Sequence, residues 1–312
     1  MNKLFITLLL CIVVSWTQAA DEINVVIWNN GTDVNIGTMD VTADDYAHLE
    51  IILPDFVYQP SILQSSTYNY VTKQLSLYAL NLQKEPFLFI IDTTTWSILS
   101  KTALYQEFQY GGLASTNTQQ NNLFTTCSAA GYIYPSTIDP NTKAISKLDT
   151  VLGSYRGSVY LPNIESYLVV FRNHTGLFAK VYSETSSVVS EISFHFSGNP
   201  YPINDSPLNL VYDSTNQNVL AQVYMTDSND RPSYALAYLV WTPGWVPGDF
   251  QVTRMTGYTG DVFLTTVPNN QRQQYAYSFA NTYGETTLYT FSTYKNNFVT
   301  FRPVFTQVLS AF

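Results

Sequence analysis

The chain has 312 residues, and its composition excludes several classes of protein. Charged residues make up only 12%, while aromatic residues reach 15%, so the chain has ample core-forming side chains and is not a disordered protein. The net charge is −9, and no cluster of Lys and Arg reverses it locally, which excludes nucleic acid as an expected partner. The many Thr, Tyr, Asn and Val residues favour strands and turns over helices.

The first 20 residues have the pattern of a secretory signal peptide. Lys3 gives a positive start, residues 4–14 are almost wholly apolar, and Ala19 and Ala20 precede the expected cleavage site. This apolar run is too short for a membrane span, which needs roughly 20 residues, and no later stretch is long and apolar enough. We therefore predict a signal peptide over residues 1–20, a single mature domain over residues 21–312, and a secreted, extracellular protein.

Three sequons match the N-glycosylation acceptor pattern, and they begin at Asn30, Asn173 and Asn204. Pro207 follows the third sequon and weakens it. A sequon that is used marks a surface turn, so the pattern predicts a glycoprotein with its sugar chains on turns.

The cysteine content constrains how the mature chain is stabilised. Cys11 lies inside the signal peptide, which leaves Cys127 alone and rules out an intramolecular disulfide. Stability must then come from a large core. Cys127 lies in a strand-like run, where a small buried thiol is the ordinary occupant. The alternative is a nucleophile or an intermolecular disulfide partner, but no neighbouring motif supports it.

A unit of short β-prone runs separated by polar turns recurs five times along the chain. The second run of each unit begins 44 to 56 residues after that of the preceding unit, at Leu75, Leu123, Tyr167, Val219 and Tyr275. A period near 50 residues with about four short strands per unit is typical of the blades of a β-propeller.

Both chain ends contribute strands that the five units do not use. The hairpin over residues 23–39 lacks an inner pair of strands, and the runs 298–301 and 305–309 supply at least one further strand. We predict that both termini combine into a sixth, closing blade. The fold class is then an all-β propeller of six blades, each with four antiparallel strands. The alternative is a pair of tandem β-sandwiches, whose strands also recur regularly. No linker divides the chain, which favours one propeller.

Two of the units end in a turn with a known family pattern. The runs 75–79, 89–95 and 138–145 resemble blades of the YVTN and quinoprotein-like propellers, in which an apolar strand leads into Asp, a Thr-containing turn and another strand. Asp92 and Asp139 occupy that position here. The resemblance implies the fold and carries no activity.

No motif in the sequence has the spacing of a catalytic or metal site. There is no nucleophile elbow, phosphate-binding Gly-rich loop or zinc-binding His-Glu pair, so no catalytic residue, metal ligand or cofactor is predicted and enzymatic activity stays open. His195 lies between two Phe residues and is interpreted as a strand residue rather than a base. The acidic turns at 44–45 and 227–230 offer oxygen ligands for calcium, but solvated turn residues are the simpler interpretation.

The most distinctive local feature is a loop with Trp241 and Trp245 between two Pro-Gly turns. Such a stiff loop can present flat apolar faces to sugar rings or to a protein partner, and we predict both residues as ligand-binding. The alternative is that the indoles cover the blade edge as a lid on the core.

Two functions from different classes follow. The first is a secreted, non-catalytic recognition protein that binds a glycan or an extracellular protein at the propeller face. The second is a secreted hydrolase or lyase that uses carboxylates at the central channel, which rests on analogy between folds. The missing catalytic motifs favour the first.

Overall fold

The structure is a computed structural model that describes residues 22–43, 45–58, 63–116, 123–183, 190–193, 208–213, 218–226, 232–240, 251–259, 262–268, 275–282, 285–292 and 297–312. In these ranges the chain consists mainly of strands and turns, with a 3-10 turn at Pro162–Ile164. Within the same ranges there is no helix of the length and apolar character that a membrane crossing requires.

The strands of the first half of the chain are β1 (Glu22–Asn30), β2 (Asp33–Asp40), β3 (His48–Leu53), β4 (Phe56–Tyr58), β5 (Ser66–Asn69), β6 (Gln74–Asn81), β7 (Pro86–Asp92), β8 (Ser97–Ala103), β9 (Gln109–Ser115), β10 (Leu123–Ala129), β11 (Tyr132–Ile138), β12 (Ile145–Lys147) and β13 (Val151–Leu152). Those of the second half are β14 (Ser154–Leu161), β15 (Ser166–Asn173), β16 (Gly176–Tyr182), β17 (Ser190–Ser193), β18 (Asn209–Asp213), β19 (Asn218–Thr226), β20 (Pro232–Val240), β21 (Gln251–Thr259), β22 (Val262–Pro268), β23 (Tyr275–Thr282), β24 (Glu285–Ser292), β25 (Asn297–Val304) and β26 (Ser310–Ala311).

These strands form six antiparallel sheets, mostly by pairing with strands close to them in the sequence. We number the sheets in chain order: sheet I holds β26 and β1–β3, sheet II β4–β8, sheet III β9–β13, sheet IV β14–β17, sheet V β18–β21 and sheet VI β22–β25. In the described part of the chain, sheets I, IV, V and VI have the predicted four strands, whereas sheets II and III have five. The difference arises because one strand position is split: β4 and β5 pair with separate parts of β6, and β12 and β13 with separate parts of β11.

The chain ends are arranged differently from the prediction. The run 298–301 was expected in the sheet of the N-terminus, but it belongs to β25, which pairs with β24 in sheet VI. Only four residues separate β24 from β25, so the two strands form a hairpin. The run 305–309 is not a strand, and the terminal strand β26 pairs with β1 instead, opposite Val26 and Ile27.

Apolar side chains cover both faces of the inner strands. In β15, Leu168 and Val170 pack towards sheet V, while Tyr167, Val169 and Phe171 pack towards sheet III. Strands buried on both faces read as continuous apolar runs, which explains the sequence of this strand. Buried clusters of this kind lie between sheets I and II, II and III, III and IV, IV and V, and VI and I. The aromatic excess of the composition supplies much of this core.

In sheets I, II and III, an Asp side chain holds the turn between the third and fourth strands. Asp92 Oδ1 accepts hydrogen bonds from the N–H of Thr94 at 2.8 Å and from its hydroxyl at 2.6 Å. At Asp139, Oδ1 accepts from the N–H of Asn141 at 2.8 Å and Oδ2 from the hydroxyl of Thr142 at 2.8 Å. These hydrogen bonds lower the pKa of both carboxyl groups. A third such turn, which the sequence analysis missed, follows β2: Asp40 accepts from the N–H of Thr42 at 2.8 Å. The Asp-x-Thr spacing was visible at Asp40 in the sequence.

We call the end of the sheets that carries these Asp turns the lower face. The opposite end, which we call the upper face, carries the described turns between second and third strands and the described connections between consecutive sheets. The turn over residues 82–85 and the connection over residues 104–108 both lie on the upper face.

Cys127 lies in the cluster between sheets II and III and is 1% exposed. Burial raises the pKa of its thiol to about 12, because the charged thiolate is disfavoured away from water, although Lys147 opposes the shift. This environment agrees with the interpretation as a buried core thiol and does not activate a nucleophile.

The thiol is therefore expected to be unreactive in the folded protein. At pH 8 we expect modification by Ellman's reagent to be at least about 1,000-fold slower in native protein than in protein unfolded in guanidinium, since an unperturbed Cys has a pKa near about 8.5. Rapid stoichiometric labelling of the native protein would contradict the burial of Cys127.

Candidate functional site

Gln64 crosses the axis around which the innermost strands are arranged. Its side-chain Nε2 donates to the carbonyls of Ser158 in β14 and Leu210 in β18, each at 2.9 Å. Its Oε1 accepts from the Ser158 N–H at 2.6 Å and from the Tyr155 hydroxyl at 2.9 Å. The amide thus uses both donors and both acceptor positions. The backbone carbonyl of Gln64 also accepts from the N–H of Leu113 in β9 at 2.9 Å, so one residue joins sheets II, III, IV and V.

Below Gln64, on the side of the lower face, the innermost strands enclose a cavity of about 200 Å³, which we call the axial chamber. Its lining includes hydroxyl groups and aromatic rings from β5, β9, β14 and β18, with the ring of Phe312 beside them. Among the lining residues in the described ranges, none is Asp, Glu, His, Lys or Arg.

Buried hydroxyl groups surround the axis between sheets II, III and IV. Tyr78 donates to Thr125 Oγ1 at 2.8 Å, and Tyr167 donates to the Gly112 carbonyl. Burial raises the pKa of Tyr78, Tyr155 and Tyr167, since a buried phenolate would lack water. These groups are neutral donors at ordinary pH and hold the inner strands in register.

A larger cavity, which we call the inter-sheet groove, opens on the upper face between sheets II and III. It has a volume of about 420 Å³. Tyr78 and Tyr110 lie at its base, the turn over residues 82–85 leads into one wall, and the connection over residues 106–108 forms the other. Lys84, Glu107 and Gln109 are exposed lining residues and give it a polar rim with both signs of charge.

Side-chain hydrogen bonds fix the two walls of this groove relative to each other. Asn81 Oδ1 accepts from the N–H of Gln83 at 3.0 Å and of Glu85 at 2.8 Å, which shapes the turn. Glu85 then accepts from Asn81 Nδ2 through one carboxylate oxygen and from Gln106 Nε2 through the other, each at 2.8 Å. Because the carboxylate bridges turn and connection, the groove is formed before any ligand arrives.

The aromatic residues of the groove belong to one connected set. Ring centroids of Tyr78 and Tyr110 lie 5.4 Å apart, those of Phe108 and Tyr110 6.2 Å, and those of Phe108 and Tyr134 6.1 Å. The Lys147 ammonium lies 3.9 Å from the Tyr134 ring centroid, a cation–π contact. The set offers large, rigid apolar surface beside polar groups.

Several predicted site residues lie outside the described residues, so their prediction stands untested. They are the ligand-binding candidates Trp241 and Trp245, the third sequon at Asn204, His195, and the second acidic turn at 227–230.

Of the first acidic turn, Asp45 is described, and its carboxylate forms an ion pair with Arg302. Within the described ranges no group of three or more His, Cys, Asp or Glu residues is placed to hold a metal ion.

The two described sequons occupy equivalent positions. Asn30 and Asn173 each end a second strand on the upper face, opposite Asp33 and Gly176 respectively, and the two residues after each Asn form an exposed turn. Asn173 Oδ1 accepts from the N–H of Thr175 at 2.8 Å. Both sites thus lie on surface turns, as the pattern predicts for used sequons.

Sequence reasoning missed the inter-sheet groove. The run 105–110, which contains Phe108 and Tyr110 among polar residues, falls between two repeat units, and no motif in it predicts a site. An aromatic connection between strands is a signal for a binding surface, because connections carry function more often than strands do.

Comparison with known proteins gives structural matches only. No protein-family model matches the sequence, and neither does any curated protein. TolB from Acinetobacter baumannii superposes with a TM-score of 0.60 at 13% identity, over 91% of this chain and 64% of that one. An oligogalacturonate lyase in complex with manganese superposes with a TM-score of 0.52 at 8% identity, over 86% of this chain and 70% of that one. The fold is that of a β-propeller.

The all-β propeller and its resemblance to propeller repeats are thereby confirmed at the level of the fold, and the tandem sandwiches are the wrong alternative. The chain spans 64% of the TolB structure. At these identities the likeness concerns the propeller scaffold alone, and what the scaffold binds must be argued from its own residues.

Proposed function

We propose that this propeller is a secreted, non-catalytic recognition protein that binds a glycan or an extracellular protein ligand in the inter-sheet groove. The observation that carries the proposal is the Glu85 carboxylate, which links Asn81 to Gln106 and fixes the two walls relative to each other above an aromatic base. A site that already has its binding conformation loses less conformational entropy when a ligand binds than a site that must first become ordered.

The dimensions and chemistry of the groove support a recognition role. Its volume of about 420 Å³ falls within the range of about 300–1,000 Å³ that is typical of ligand sites. Rings such as Phe108 and Tyr110 can stack on a sugar ring or on a peptide side chain, and the exposed Lys84 and Glu107 can pair with polar groups at its edge. No observation in the described residues favours the alternative, a hydrolase or lyase with carboxylates at the central channel.

We expect Phe108→Ala to weaken binding of the groove ligand by about 30-fold, the effect of losing one interfacial hot spot. Ligands would first be found by screening the wild-type protein on a glycan array and against displayed extracellular peptides. Binding would then be measured by isothermal titration calorimetry.

Tyr105→Ala is the matched control, because Tyr105 is an exposed aromatic residue of the same connection that does not line the groove. The proposal fails if every ligand found binds Phe108→Ala as tightly as wild type. Equal losses in both variants would point to disturbance of the whole connection.

Trp241 and Trp245 remain proposed as further ligand contacts.

We also propose that the sheets form a ring of six blades that both termini close. Support comes from the pairing of β26 with β1, from the cluster that joins sheets VI and I, and from the hydroxyl oxygens of Ser66 and Ser310, which lie 3.0 Å apart. Such a ring leaves no inner sheet edge exposed.

Secretion and glycosylation complete the proposal. We expect the secreted protein to begin at residue 21 by N-terminal sequencing. In eukaryotic secretory cells we expect peptide N-glycosidase F to release sugar from Asn30 and Asn173, detected as Asn-to-Asp conversion by mass spectrometry. A mature protein that retains residues 1–20 would contradict the secretion proposal.

A further inference from the structure

We propose that the axial chamber is a second binding site, independent of the groove, and that it takes a single uncharged sugar ring. The chamber and the groove open towards opposite faces and share no lining residue, so each site can be tested without the other.

The size of the chamber limits the ligand. Its volume of about 200 Å³ is below the range of about 300–1,000 Å³ that drug-sized ligands occupy. Gln64 forms the inner end, and its side-chain amide is already fully hydrogen-bonded to Ser158, Leu210 and Tyr155. A ligand therefore enters from the lower face, and only one ring of a longer glycan fits inside.

The lining selects against charge. Since the described lining has no charged side chain, a carboxylate or ammonium group would lose its water without gaining a counter-charge. The favoured ligand is neutral.

Two tyrosine hydroxyls in the lining are available to a ligand. Within the described residues the hydroxyls of Tyr70 and Tyr212 have no hydrogen-bond partner, whereas the nearby Tyr68 hydroxyl lies 3.1 Å from Thr93 Oγ1. Thr67 Oγ1 accepts from the N–H of Ser115 at 3.1 Å, which leaves its own O–H to donate. Burial raises the pKa of Tyr70, so this hydroxyl stays protonated. These groups match a ligand that carries several hydroxyls.

Aromatic rings form one wall of the chamber. The Tyr68 and Tyr70 rings meet edge to face with centroids 4.9 Å apart, and Phe312 lies 6.4 Å from Tyr68. A sugar ring has apolar C–H faces as well as hydroxyl edges, so an aromatic wall beside free hydroxyls suits both parts of it. A purely apolar ligand would leave the Tyr70 and Tyr212 hydroxyls unpaired.

The test uses saturation-transfer NMR on the mature protein with D-glucose, D-galactose and D-mannose as neutral probes. D-galacturonate and D-glucosamine serve as charged probes of the same size. We expect at least one neutral sugar to bind with a dissociation constant in the millimolar range and the charged sugars to bind at least about tenfold more weakly.

Tyr70→Phe and Tyr212→Phe remove one hydroxyl each and keep the ring. We expect each to weaken neutral-sugar binding about fivefold, while Tyr105→Phe, on the other face, and Phe108→Ala, in the groove, leave it unchanged. Circular dichroism confirms that each variant is folded. The proposal is overturned if no neutral sugar binds wild type, if a charged sugar binds as well, or if both hydroxyl deletions bind as wild type does.

Discussion

Gly112→Ala is expected to destabilise the protein by about 3 kcal/mol, whereas Gly131→Ala costs about 1 kcal/mol. Both glycines have positive φ, +58° at Gly112 and +82° at Gly131, so alanine is strained at either position. Only at Gly112 does the new methyl group also meet other atoms, because it would overlap Thr126 Oγ1 and the Tyr167 hydroxyl.

The comparison of the two glycines separates backbone strain from steric overlap. Around Gly131 no heavy atom outside the glycine and its two chain neighbours lies within 4 Å of the added Cβ. Urea unfolding followed by tryptophan fluorescence gives the free energy of unfolding of each variant. Equal losses for both substitutions would show that the packing around the Gly112 carbonyl, which accepts from Tyr167, does not hold β9 in place.

The second expected result concerns Gln64. Gln64→Met keeps the length of the side chain but removes its amide, so the Ser158 and Leu210 carbonyls and the Tyr155 hydroxyl lose a partner. Each buried group left unpaired costs about 1–3 kcal/mol, and because the site is only partly buried we expect a total near 4 kcal/mol. Gln83→Met, an exposed control, should change the free energy of unfolding by less than about 0.5 kcal/mol.

A charge at the same position adds a pH dependence. Gln64→Glu places a carboxylate against the Ser158 and Leu210 carbonyls, which raises its pKa in the folded state above the unfolded value of about 4.3. A raised folded-state pKa means that stability is fully present below the unfolded pKa and is lost as pH rises through the folded pKa. We therefore expect this variant to lose stability relative to wild type between pH 4 and pH 7, measured by thermal unfolding. A difference that does not change with pH would contradict the contacts of Gln64.

Local sequence pattern predicted much of the fold. The apolar runs of β6 and β15 and the Asp turns at Asp92 and Asp139 each depend on residues close in the chain, and each lies where the repeat placed it. The assignment of the runs 298–301 and 305–309 to the N-terminal sheet was wrong, because the strand that pairs there is β26, which is only two residues long and lies at the opposite end of the sequence.

The candidate sites depend on contacts that no local pattern encodes. Glu85 and Gln106 are 21 positions apart, and Gln64 reaches Leu210 across 146 positions. A single Gln or Glu in a polar turn has no periodicity or spacing that would identify it in the sequence as part of a site. The adjacent glycines Gly111 and Gly112 can be seen in the sequence. The need for glycine at position 112 cannot, because it depends on the contact with Tyr167, 55 positions away.

The pairing of β26 with β1 also sets the order in which the protein can fold. During synthesis the N-terminal residues emerge first, yet one edge of β1, at Val26 and Ile27, stays unpaired until Ser310 and Ala311 have emerged. The first sheet is thus completed last, and its unpaired strand edge stays available to other chains for most of translation. Contacts between such distant residues fold slowly, because a large loop must be closed before they form.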